Sequence, residues 1–141
     1  MKRYLIIFML TLIVALGVFL TFAPTVLDKG QNLVVEHQSY QISPQAQALH
    51  SSLLVGDWHA DSLLWMRNLS EEYDYGHLDF PRMQRGNLGL QMFTTVTKSP
   101  SGQNYEINQT DASDNITLLA MAQRWPTATW TSLAERALFQ A

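Results

Sequence analysis

The opening run, "MKRYLIIFMLTLIVALGVFLTFAP", limits this chain more than any other feature. Lys2 and Arg3 are followed by about twenty uncharged, mostly apolar residues, which as a helix rising about 1.5 Å per residue cover the hydrocarbon core of a bilayer. No polar stripe interrupts them, so the half-buried helix of a water-soluble core is a poor alternative. Residues 1–24 are therefore read as a signal-anchor or signal peptide. The apolar core exceeds the roughly 7–15 residues of a cleavable signal, and Pro24 directly follows the small Ala23, which favours an uncleaved anchor. Both basic residues precede the span, so the N-terminus is expected in the cytoplasm and everything after Pro24 outside it, periplasmic or extracellular.

The remainder has a different character. The chain has 141 residues, 9 of them basic and 12 acidic, and no cysteine. Setting aside Lys2 and Arg3, the exported part carries a formal charge of about −5, with no Lys/Arg cluster to neutralise a row of phosphates; nucleic acid is not an expected partner. Without cysteine, neither a lipid-bearing cysteine nor a disulfide can form. Sequons at Asn68, Asn108 and Asn115 are read as chance occurrences.

Local signals order the rest. Residues 25–43 read as a stalk or edge hairpin with weak alternation. In "SPQAQALHSSL", Ser43 is an N-cap and Pro44 the first helical residue. "LLVGDW" is short and apolar, suiting a strand buried on both faces. The polar stretch "RNLSEEYDYGH" reads as a loop. "LDFPRMQRGN" predicts a short helix capped by Asp79 and stopped by a left-handed Gly86-Asn87. "LGLQMFTTVT" is a second buried strand, and "KSPSGQNYEINQT" a loop. "DASDNITLLAMAQRW" predicts a helix with acidic residues in its first turn, Ile116, Leu119, Ala120 and Gln123 on one side, and Pro126 ending it. "SLAERALFQA" begins another. Strand and helix alternate, as in α/β domains whose parallel strands are joined by crossovers. Two strands alone do not make a covered parallel sheet, so the chain is expected to be the opening piece of a larger barrel.

The chemistry gathers where the first strand ends, in "LLVGDWHADSLLW". Side chains at i and i+2 share a strand face, so His59 and Asp61 project together, with Asp57 on the same side. In parallel α/β folds the C-terminal strand ends carry the active groups. An imidazole nitrogen and a carboxylate oxygen are both zinc ligands, at about 2.0–2.2 Å. A lone His-x-Asp triplet is weak, arising by chance in roughly one such chain in five. The bland readings are a half-buried histidine bonded to its own loop, and an aspartate that caps a helix or makes an Asx turn.

"VGDWHADSLLW", "GHLDFPRMQRGNLGLQMFTTVT" and "WPTATWTSLAERAL" together resemble the N-terminal part of the membrane dipeptidase (renal dipeptidase) family of zinc metallopeptidases, in its bacterial form, over about Leu53 to Ala141. The resemblance implies the first strands and helices of a TIM (β/α)8 barrel, incomplete in this chain, occupying residues 44–141. It also implies two Zn2+ ions in the complete site, one held by His59 and Asp61, with the bridging glutamate, two histidines and the substrate-binding residues beyond residue 141. Hydrolysis of dipeptides outside the cytoplasm is the implied activity, and a homodimer is a further expectation. A membrane-tethered non-catalytic remnant or binding module is the alternative. Many relatives have glycine where Trp58 stands; on a strand Trp58 points away from the pair and is expected to pack against a helix. Asp57 is a candidate acceptor for the second ring nitrogen of His59. His37 and His50 precede the strand and have no partner ligand at i+2, and His77 lies in the polar loop before the "LDFPRM" helix; all three are expected to be dispensable for metal.

Overall fold

The computed structural model describes residues 1–107 and 109–141; the sequon at Asn108 lies outside the described residues. The chain mixes helices with a small two-stranded parallel sheet. In order it forms α1 (Lys2–Gln31), α2 (Pro44–Ser52), β1 (Val55–Ala60), α3 (Phe80–Arg85), β2 (Leu88–Phe93), α4 (Asn115–Ala122) and α5 (Leu133–Gln140), with 3-10 turns at Ser62–Leu64 and Thr127–Trp130. The structure divides into two compact units, residues 1–27 with 96–141, and residues 28–95.

Helix α1 is long and apolar enough to cross a bilayer. Its large side chains, Leu5, Phe8, Ile13 and Phe19 among them, are exposed along the whole run, as a lipid-facing surface would be. Thr11 and Thr21 donate their hydroxyls to the carbonyls of Ile7 and Gly17, so neither presents an unpaired polar group within the span. The helix continues through Pro24 to Gln31, past the boundary expected at residue 24. Proline forfeits one ladder bond but is tolerated in an apolar helix. Asn32 then closes the end, its backbone N–H and side chain both donating to the Asp28 carbonyl. Only residues from about 33 to 43 have the open, irregular character expected of a stalk.

In residues 28–95, β1 and β2 pair in parallel, with Val55 opposite Leu88, Gly56 opposite Leu90, Asp57 opposite Gln91 and Ala60 opposite Phe93. Irregularities interrupt the register after Val55 and between Asp57 and Ala60. The strands were expected to be buried on both faces and are not: Leu90 and Met92 are exposed, as is Trp58 at 71%. A two-stranded sheet has nothing to lay over the second face. Ser43 caps α2 by accepting the Ala46 N–H, and Asp79 caps α3 by accepting the Arg82 N–H at 2.8 Å. The left-handed residue after α3 is Asn87 alone (φ 54°); Gly86 stays at φ −81°.

Asp79 is fully buried. Arg82 answers it at 2.5 Å and also donates to the carbonyls of Gly76 and Tyr75, tying the preceding loop to α3.

In residues 96–141, Trp125, Ile116 and Ala120 form the buried apolar centre, and Phe139 of α5 lies with its ring centroid 5.1 Å from that of Trp125. The expected inner side of α4 is observed, with Ile116, Ala120 and Gln123 buried and Leu119 half-buried. The acidic residue near its start, Asp114, is the N-cap rather than a first-turn residue. Helix α4 stops at Ala122, before Pro126, and Arg124 adopts a left-handed φ of 59°. Ser132 caps α5.

Candidate functional site

Strand β1 delivers His59 next to its last residue, and Asp61 follows at the bend that opens the 3-10 turn. The pair converges as the period-two reading requires: His59 Nε2 stands 3.2 Å from Asp61 Oδ1. Two atoms that each bind one tetrahedral zinc at about 2.0–2.1 Å are themselves about 3.3 Å apart, so the donor pair has a separation that suits zinc. The same spacing suits a direct hydrogen bond, and with the side chains 70% and 45% exposed such a bond contributes little to stability.

The geometry departs from the bland readings in two respects. Asp61 occupies the N-cap position of the 3-10 turn, but its carboxylate makes no capping bond. It is instead held from the residue that follows β2, by the Thr94 hydroxyl donating to Oδ1. His59 is exposed, not half-buried.

Asp57 does something other than expected. Its Oδ1 accepts the backbone N–H of His59 at 3.3 Å, steadying the irregular stretch of strand rather than the imidazole ring. Trp58 takes no part in the site and, being exposed, does not pack against a helix.

The pair opens on a pocket of about 310 Å³. Asp57, His59 and Asp61 line it together with Trp65, Arg67 and His77. Its place in a polar loop, away from a strand end, sets His77 aside in the sequence; the loop after Asp74 carries it to the pocket wall. The turn responsible is Gly76, at φ 78°, whose N–H donates to the Asn32 carbonyl at 2.7 Å. Arg67 is almost wholly buried, its Nε 2.7 Å from Asp28 Oδ2 and its Nη1 without a hydrogen-bond partner among the described residues.

Among the described residues no three His, Cys, Asp or Glu side chains converge closely enough to hold a metal. Neither Asp57 nor His77 therefore completes a ligand set around His59 and Asp61. Arg67 and Thr94 carried no sequence signal of their own. Only the parallel pairing, with Ala60 opposite Phe93, brings residue 94 beside residue 61.

No protein-family model, no curated protein and no solved structure matches the chain.

Proposed function

We propose that this chain is the opening portion of a TIM-barrel zinc metallopeptidase of the membrane dipeptidase type, tethered by α1, with residues after the span on the outer side of the membrane and dipeptides as substrates. The carrying observation is the 3.2 Å approach of His59 Nε2 to Asp61 Oδ1 at the C-terminal end of a parallel strand, facing a pocket. Imidazole and carboxylate are a donor set that zinc accepts. When bound, zinc lowers the pKa of a water molecule and polarises the scissile carbonyl. His59 and Asp61 supply geometry and negative charge to hold it. Catalytic zinc takes three protein ligands and an open position, so the reading requires ligands from outside these 141 residues.

A membrane-tethered non-catalytic module is the second reading, favoured by the want of a third ligand among the described residues. Zinc titration of the purified chain in detergent addresses the metal directly. Wild type is expected to bind a single zinc weakly, His59→Ala and Asp61→Ala to abolish binding, and His77→Ala to retain it. Unchanged binding after the double substitution of His59 and Asp61 overturns the metal reading.

A further inference from the structure

Thr94 holds one of the two candidate ligands from just beyond the end of the neighbouring strand. It is the first residue after β2, and its backbone N–H donates to the carbonyl of Ala60 at 2.9 Å, continuing the parallel pairing beyond the last strand residue. Its hydroxyl donates to Asp61 Oδ1, the same oxygen that faces His59 Nε2, and leaves Oδ2 outside both contacts. Asp61 sits at a bend, with its carboxylate 45% exposed and no capping bond. Without the hydroxyl its side chain would sample several rotamers at this depth of solvent.

We propose that Thr94 is a positioning residue for the metal ligand Asp61, fixing the carboxylate so that Oδ1 and the His59 ring nitrogen point at one place. The inference rests on the zinc reading above. Partners that hydrogen-bond a metal-ligating carboxylate set its orientation, and their loss costs about 10–100-fold in metal affinity. The backbone bond from Thr94 to Ala60 does not depend on the side chain. Valine is also β-branched and suited to an extended chain, so Thr94→Val removes the hydroxyl while leaving the strand pairing in place.

The test is a zinc titration of the full chain in detergent micelles, read by isothermal calorimetry for wild type, Thr94→Val, Thr94→Ser and His59→Ala, and also through the imidazole NMR signals of His59 in the variants that keep it. Thr94→Val is expected to weaken zinc by about 10–100-fold, while Thr94→Ser, which keeps the hydroxyl, stays near wild type. If Thr94→Val binds like wild type while His59→Ala does not bind, the positioning role is wrong and the zinc reading stands. If His59→Ala binds like wild type, the zinc reading itself falls, and no saturable shift in wild type overturns both. Should circular dichroism show Thr94→Val to be misfolded, Thr94→Ala against Thr94→Ser carries the comparison, with equal affinities overturning the proposal.

Discussion

At the residue scale, Gly76 is the position where a single methyl group does most harm. Its φ of 78° lies where side chains are disfavoured, and a Cβ there would sit 1.7 Å from Arg67 Nη1. That guanidinium cannot easily move, because it is 3% exposed and paired with the equally buried Asp28. The carbonyl of Gly76 also receives Arg82 Nη1, so the loop has little freedom to rotate away. Gly76→Ala is expected to destabilise residues 28–95 by at least about 2 kcal/mol in urea denaturation, the sum of a left-handed backbone penalty and a clash. Sequence placed Gly76 correctly in a polar loop. It could not give the reason glycine is needed, since Arg67 is a neighbour only in space.

At the scale of elements, Arg136 fastens α5 to α4 and to the segment before it. All five of its N–H donors find acceptors: Nε the Thr129 carbonyl at 2.6 Å, Nη1 the Thr97 carbonyl and Asp114 Oδ2 at 2.7 and 2.5 Å, Nη2 the Thr117 hydroxyl and the Trp130 carbonyl, each at 2.8 Å. Asp114 accepts in addition the N–H groups of Ser99 and Ile116. Removing the guanidinium strands a poorly hydrated carboxylate, so Arg136→Met is expected to cost about 3–5 kcal/mol, read from Trp125 fluorescence against urea.

The same cluster sets an acid dependence. Burial pushes the Asp114 carboxyl upward, but the Ser99 N–H, Arg136, the Ile116 N–H and the Thr117 hydroxyl outweigh it and hold its pKa down to about 2, below the ordinary 3.8. A depressed folded-state pKa stabilises above the unfolded value and ceases to do so as pH falls through the folded one. The unfolding free energy should therefore drop by about 2 kcal/mol between pH 5 and pH 2 on this account, and Asp114→Asn should flatten that slope. Ser43 and Asp79 were legible as caps because a cap needs only the next three residues; Ser132, the cap of α5, opened a helix in the pattern without being read as its cap. Asp114 was read as a helix-end charge, and its bond to a residue 22 positions away was not visible in the pattern.

At the scale of the whole molecule, the two-stranded sheet leaves both outer strand edges unpaired among the described residues, with Leu90, Met92 and Trp58 uncovered. Such edges recruit other chains. A fragment of residues 24–141 is therefore expected to aggregate or to unfold without a cooperative transition; a monomeric, cooperative melt by calorimetry and light scattering would contradict this. The purified 141-residue chain is likewise expected to show no dipeptidase activity, because on the proposed reading the described residues offer two zinc ligands where catalysis takes three. Zinc-dependent hydrolysis of any dipeptide by that chain would refute the expectation.

Sequence by itself determined what is decided over a few residues: the apolar run of α1, the helix caps, two short strands of one direction, and the i, i+2 convergence of His59 and Asp61. These follow from helix and strand periods and from hydrogen bonds closed within a turn. Tertiary structure alone decided which oxygen of Asp61 is gripped, since Thr94 lies 33 residues away. It also decided that Asp57 serves the backbone, that His77 reaches the pocket wall, and that the strands remain uncovered. Irregular register between Asp57 and Ala60 shifts neighbours by amounts no local pattern encodes, and polar partners are selected by what the fold brings within about 3 Å of them.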